Sequence, residues 1–218
     1  MAETMKILNL FAGIGGNRSL WGDSHEITAV EHNSQIAKIY QTRFPHDEMI
    51  VDKCINVIER PEFFLNQFDL ITVGSPCQSH SMFNMVYWSR GIIKVPDMDN
   101  LYGIMITLKY YPHQSFKFVC ENVNPFYKEW RPTQYFQKLG RHFFWSNFPI
   151  QKKEFPQYLG KTVNDLTVPE LIEWHGVDFE WDNEMDKRQI LRNCVDKKIG
   201  KYILDQAKLK NQQSLDFF

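Results

Sequence analysis

Short apolar runs, each closed by glycine or polar residues, alternate along the chain with stretches of helical periodicity. Lys6 to Phe11 is mostly apolar and enters Ala12-Gly13-Ile14-Gly15-Gly16, after which Asn17 and Arg18 open a helix. Ile27 to Val30 predicts a second strand ending in Glu31-His32-Asn33. A helix from about Ser34 to Phe44 leads to a third strand, Met49-Ile50-Val51, with Asp52 at its end. Pro61 opens or interrupts a helix carrying Phe63, Phe64 and Phe68, all read as core. Asp69 and the run Leu70 to Val73 predict a short buried strand that stops at Gly74 and passes into Ser75-Pro76-Cys77. From His80 to Asp99 the pattern loses regularity, as expected of a lid over a site. Asn100-Leu101-Tyr102 then begins a helix with Ile104 and Leu108 on one face. Phe116 to Cys120 is the next strand, closing in Glu121-Asn122-Val123, and Arg141 to Trp145 another, with His142 and the aromatics through Phe148 as strand core. A helix from Pro169 to Trp174 ends at Gly176, and Lys197 to Ala207 forms the last. Strands alternating with helices in this way predict an α/β fold built on a mixed, mostly parallel sheet with helices on both faces.

Composition narrows this picture. At 218 residues the chain is long enough for one domain with a core that needs neither disulfide nor metal, and 17 Phe and 6 Trp supply ample apolar surface. Cys54, Cys77, Cys120 and Cys194 lie far apart without a CxxC pair, which argues against a metal site and for a reducing, cytoplasmic setting. No signal peptide or membrane span is expected, because the apolar runs are only a few residues long. The net charge of −1 gives no global nucleic-acid footprint. Between Lys187 and Lys210, eight Lys or Arg stand against Asp196 and Asp205, a pattern that fits a solvated helix face and, as an alternative, a local basic surface.

Three places carry candidate chemistry. A strand, a glycine-rich turn and a helix let backbone approach a ligand closely, and an acid at the tip of the second strand commonly receives ribose hydroxyls. Glu31 has that position, with Asp52 at the tip of the third strand. Cys77 follows Pro76, whose ring stiffens the backbone where the thiol is presented. A free cysteine is usually a small buried hydrophobe, but the polar residues Gln78, Ser79, His80 and Ser81 behind it suit an exposed loop.

Taken together, LFAGIGG, EHN with a following Asp, SPCQS and ENV occur in an order that resembles the cytosine-5 DNA methyltransferase family over about residues 6 to 123. The resemblance implies a Rossmann-like class I methyltransferase fold and S-adenosyl-L-methionine as cofactor. Phe11, Ala12, Gly13, Ile14, Gly15 and Gly16 would border the cofactor. Glu31 would hold the ribose hydroxyls, His32 would pack near the adenine, and Asp52 would accept from its amino group. Ser75, Pro76, Asn100 and Leu101 would add to this site from the catalytic side. Arg192-Asn193-Cys194-Val195 resembles the family's closing motif, so Asn193, Cys194 and Val195 are expected beside the same pocket. Cys77 would attack carbon 6 of a cytosine swung out of duplex DNA, as a thiolate whose pKa is lowered by the turn amides behind it. Glu121 would act on the ring nitrogen N3 as an acid whose pKa is raised by burial. Arg141 is the counterpart of an arginine that helps clamp the flipped nucleotide, with Phe143 standing where a second arginine would fall.

Beyond residue 123 the resemblance thins. About 45 residues separate Phe148 from Asn193, too few for the separate target-recognition domain such enzymes carry. The expected organisation is one methyltransferase domain over 1–218: cofactor and catalytic core in 1–150, a reduced recognition region in 151–185, and helices packing back in 186–210. Base contacts would then come from loops such as Gln151 to Leu159, from the lid, or from a second subunit or partner supplying sequence recognition. The resemblance implies a role in DNA methylation, such as restriction-modification in a bacterial or phage-infected cell. Its rivals are the same chemistry on RNA, methylation of the exocyclic amine of cytosine, and a non-catalytic methyltransferase-like DNA-binding subunit.

Overall fold

The computed structural model describes residues 4–77, 89–91, 102–123, 135–177 and 185–209. Its strands are β1 (Lys6–Leu10), β2 (Glu26–Val30), β3 (Glu48–Ile50), β4 (Leu70–Gly74), β5 (Lys117–Asn122), β6 (Tyr135–Leu139) and β7 (His142–Ser146). Its helices are α1 (Ser34–Arg43), α2 (Cys54–Ile58), α3 (Ile104–Lys109), α4 (Val168–His175), α5 (Lys187–Asn193) and α6 (Lys197–Lys208). The strands form one sheet in the order β3-β2-β1-β4-β5-β7-β6. Every pairing is parallel except β5 with β7 and β7 with β6. Strand order reverses between β1 and β4, and in open α/β sheets ligands bind outside the carboxyl ends of the strands at such a point.

Both faces of the sheet are covered, which explains why the central strands are apolar runs rather than alternating ones. Leu8, Leu10, Ile71, Val73, Phe118 and Cys120 pack against Val57 and Ile58 of α2 and Ile104 and Leu108 of α3. On the opposite face Ile7, Leu70, Val119 and Phe144 meet Ile199, Ile203 and Leu204 of α6. That helix is docked through Gly200, whose carbonyl accepts the indole N–H of Trp21 at 3.1 Å. Among the described residues no helix is long and apolar enough to cross a membrane.

Three local expectations are corrected. Asn17 and Arg18 begin a single 3-10 turn, Asn17–Leu20, rather than a helix. Arg18 is instead committed to a buried bidentate pair with Asp47, Nε to Oδ2 at 2.8 Å and Nη2 to Oδ1 at 3.0 Å, and Gly22 at φ +78° turns the chain away. No helix carries the phenylalanines after Pro61: α2 ends before it, Leu65–Gln67 is a 3-10 turn, and Phe64 is 64% exposed while Phe68 is buried. Arg141 lies in the tight Gly140-Arg141 turn between β6 and β7, not on a strand. The final helix, α6, stands where the sequence puts it, and the basic run is divided between α5 and α6, with Asp186 and Asp196 as their N-caps.

Candidate active site

The carboxyl ends of β1, β2, β4 and β5 converge on one edge of the sheet, and each delivers a residue singled out above. After β1 the chain turns sharply. Phe11 adopts φ +56°, Gly13 φ +55° and Gly15 φ +78°, and Gly15 N–H donates to the Ala12 carbonyl at 2.9 Å. The turn is fastened from outside: Ala12 N–H donates to Val30 O at 3.0 Å, Ser19 Oγ to Gly15 O at 2.9 Å, and the Arg43 guanidinium to Ile14 O and to Ser19 Oγ. No atom lies within 4 Å of the place a Cβ would occupy at Gly13, so the backbone there faces open space.

Glu31 is buried beside this turn. Its Oε2 accepts from Gly13 N–H at 3.1 Å and its Oε1 from Asn33 N–H at 2.9 Å, with the His32 Nδ1 at 3.0 Å from Oε1. Oε2 has a further lone pair for a hydroxyl donor. An open glycine cradle beside a fixed carboxylate fits the ribose end of S-adenosyl-L-methionine. His32 is mostly exposed and free to lie along a ring. At Asp52, Oδ1 already accepts from Lys53 N–H and the Asn56 amide, and Oδ2 pairs with Arg60, which together hold the carboxyl below its usual range. One acceptor position remains on Oδ2.

Other residues expected at the cofactor are placed differently. Ile14 and Cys194 are buried in one apolar cluster with Ile39, Leu171 and Leu191, and Ala12 packs on Ala29 and Tyr40. Their side chains point into core, so only their backbone can border a ligand. The Asn193-Cys194-Val195 turn does reach the glycine segment: a Cβ at Gly16 would stand 2.7 Å from the Val195 carbonyl oxygen. Asn100, Leu101 and nearly all of the expected lid lie outside the described residues.

The catalytic side is built by register. Gly74 at the end of β4 pairs with Glu121 on β5, so the segment Ser75-Pro76-Cys77 leaves the sheet beside the Glu121 carboxyl. Asn122, buried, clamps this segment by donating its amide to Ser75 O at 3.3 Å and Ser75 Oγ at 3.0 Å. Cys77 is half-buried. Its thiol is pushed up, not down: burial is the largest cause and the Glu121 charge adds to it, while Arg141, a backbone hydrogen bond and Arg192 pull the other way. The turn amides are therefore outweighed, because they act on one side of a thiol surrounded by low-dielectric protein.

Glu121 behaves as expected of an acid. Burial raises its pKa to about 7, opposed by Arg141. Its side chain is 14% exposed and borders a cavity of about 30 Å3 shared with Asn17, Thr72, Val119 and Gly200. Arg141 is exposed, and its guanidinium donates to the Arg192 carbonyl while biasing both Glu121 and Cys77.

Sequence reasoning missed two residues here. Asn122 was visible only as part of ENV, without its clamping role. His142 was taken as strand core, yet its Nδ1 stands 3.0 Å from Glu121 Oε1. Burial holds its pKa well below the usual imidazole value, with Arg141 acting in the same direction, so this contact is a hydrogen bond and not an ion pair.

Comparison with known proteins bears on the first part of the chain and on the fold. Residues 5–85 match the family described as C-5 cytosine-specific DNA methylase. An 80-residue stretch is 30% identical to the tRNA (cytosine(38)-C(5))-methyltransferase of Homo sapiens, covering 35% of this chain and 20% of the human protein. The Mus musculus protein of the same name is also 30% identical over 80 residues, with 35% and 19% covered. The match thus spans about one fifth of the length of these curated relatives. A solved methyltransferase from Entamoeba histolytica superposes with a TM-score of 0.60 at 14% identity, over 94% of this chain and 98% of that one, which shows a shared methyltransferase fold. Residues 5–85, carried on this fold, thus match the C-5 cytosine-specific DNA methylase family, and that match implies S-adenosyl-L-methionine as the cofactor.

Proposed function

We propose that the protein transfers a methyl group to carbon 5 of cytosine in a nucleic acid, with duplex DNA as the substrate and Cys77 as the covalent nucleophile. The observation that carries this is the pairing of Gly74 with Glu121, which sets a cysteine-bearing turn beside a carboxyl raised to about 7 at the carboxyl edge of the sheet. In the proposed reaction Cys77 Sγ adds to carbon 6 as Glu121 hydrogen-bonds or protonates N3, making carbon 5 nucleophilic. Carbon 5 then takes the methyl group, its proton is lost to solvent as the thiolate is expelled from carbon 6, and the N3 proton returns to Glu121. S-adenosyl-L-methionine, held by the backbone of Phe11 to Gly16 and by Glu31, with His32 and Asp52 at the adenine end, supplies the electrophilic methyl. A protonated Glu121 no longer raises the Cys77 pKa, so acid and thiolate favour each other. Residues 1–150 serve as the core, 151–185 as the recognition element and 186–210 as helices that brace the cofactor side. With so little chain for recognition, sequence contacts come from short loops or a partner.

A second reading, the same chemistry on RNA, is favoured by the names of the curated relatives, which are tRNA methyltransferases. Incubation with methyl-labelled cofactor and either duplex DNA or tRNA, followed by digestion and mass identification, separates them. Labelled 5-methylcytosine from DNA is expected, together with a denaturant-stable adduct on DNA containing 5-fluorocytosine that Cys77→Ser abolishes. Label only in tRNA would replace the DNA reading; label on the exocyclic amine, or full activity in Cys77→Ser, would overturn the mechanism.

A further inference from the structure

On the antiparallel pair β5–β7, Glu121 stands opposite Phe144, so His142, two residues from Phe144, projects from the same face and reaches Glu121 diagonally. The two Glu121 oxygens thereby have different surroundings. Oε1 is 3.0 Å from His142 Nδ1. Oε2 lies on the other side, 3.7 Å from where a Cβ would stand at Gly74, on the strand that leads to Cys77.

Two proton placements satisfy the Nδ1–Oε1 contact. If the carboxyl proton is on Oε1 it is spent on the imidazole, and the carboxyl has none to offer a base. If Nδ1 carries the proton and donates to Oε1, the acid proton must sit on Oε2, the oxygen beside the Cys77 turn. We infer that His142 is a positioning residue of the second kind: it gives its Nδ1–H to Glu121 Oε1 and so reserves Oε2 as the oxygen that meets the ring nitrogen of the substrate pyrimidine.

This rests on the methyl-transfer reading for its purpose, but the proton arrangement stands independently of it. His142 keeps its proton throughout: the proton that goes to N3 leaves Oε2 and returns to Oε2. The imidazole is suited to this because burial keeps it neutral, so it donates one hydrogen bond without placing a second charge beside the carboxyl. The other titratable or charged groups at the pair are Arg141 in the β6–β7 turn, which acts on both, and Cys77 after β4, which feels Glu121; Arg192 and Cys194 at the end of α5 face Arg141 instead. Arg141 opposes protonation of both partners, which leaves the hydrogen-bond donor at His142 as the group that orients the carboxyl.

The test is made on the full chain without nucleic acid. In 13C,15N-labelled parent protein, with the His142 ring signals assigned through bonds from its sequentially assigned backbone, Nδ1 is expected to give a pyrrole-type shift and Nε2 a pyridine-type shift at pH 7. The Glu121 carboxyl is followed by infrared difference spectroscopy, identified by its loss in Glu121→Gln. A donor to the carboxylate favours its charged form, so His142→Phe should raise the Glu121 midpoint by about one pH unit. His142→Asn, which restores an N–H donor, should bring it back to within about 0.3 unit of the parent. A pyridine-type Nδ1 in the parent protein overturns the inference even if both variants fail to fold, as does an unmoved midpoint in a folded His142→Phe. Failure of the parent to methylate any nucleic acid, with these spectra as expected, removes the methyl-transfer reading and leaves the pair intact.

Discussion

Glu121→Gln should make the protein more stable at pH 8 and change its stability little at pH 5. Burial disfavours the charge of the native carboxyl and pushes its pKa up to about 7 from the ordinary 4.5. Between those values the native state binds more protons at this position than the unfolded chain does. Stability is therefore fully present below about pH 4.5 and is lost as pH rises through about 7. A shift of this size amounts to about 3 kcal/mol, and because the side chain is 14% exposed about 2–3 kcal/mol is the expected loss. Glutamine has nearly the same shape, still meets His142 Nδ1 and carries no charge, so the penalty disappears in the variant. Shifted groups that do not feel the Glu121 charge are common to both proteins and cancel in the difference; His175, lowered to about 4 by burial, is one. Urea unfolding of both proteins at pH 5, 6, 7 and 8 should give a stability gap that opens toward alkaline pH. A gap independent of pH, or one favouring the parent at pH 8, would refute the assignment of Glu121 as a buried, high-pKa acid. Methyl transfer should fall by about 10²–10⁴-fold in the same variant, the range for loss of a general acid. A substitution that stabilises while it inactivates marks a residue kept for chemistry at the expense of the fold.

Gly200→Ala should destabilise, although alanine is favoured over glycine inside a helix by about 1 kcal/mol. The new Cβ would stand 2.3 Å from the Asn17 carbonyl oxygen and 2.6 Å from its Cα, and overpacking against backbone costs about 1–3 kcal/mol or more; a raised urea midpoint would contradict the close docking of α6 on the 3-10 turn. Asp47→Ala leaves the Arg18 guanidinium and the Tyr40 hydroxyl without their shared partner inside the protein, at a cost of about 3–5 kcal/mol, and a loss below about 1 kcal/mol in the same assay would show that the pair is dispensable. Asn122→Ala removes the donor to Ser75 O and Oγ, costing about 1–3 kcal/mol, and should slow formation of the 5-fluorocytosine adduct far more than it weakens cofactor binding in calorimetry. Equal effects on both would mean that Asn122 does not act through the Cys77 turn.

What the sequence made legible is what neighbours along the chain decide. The β1 run, the positive-φ glycines, the acid ending β2 and the helix from Pro169 to Trp174 closed by Gly176 are short-range patterns, and each stands close to where periodicity and turn chemistry put it. What stayed hidden depends on register and on distant partners. Asn17–Leu20 fails to continue as a helix because Arg18 is drawn to Asp47, a residue two elements later. His142 sits among aromatic residues that disguise it as core, and only the antiparallel pairing of β7 with β5 turns it toward Glu121. The Cys77 thiol shows the same division: the turn amides visible in the sequence do pull its pKa down, but burial and the Glu121 charge outweigh them. Its activation then cannot be a property of the Pro76-Cys77 turn alone. Protonating Glu121 removes one of the two causes that hold the thiol up and leaves Arg141 and Arg192 acting on it unopposed by charge, so in the proposed reaction the thiol and the carboxyl must reach their working protonation states together, across two strands that the sequence separates and the sheet joins.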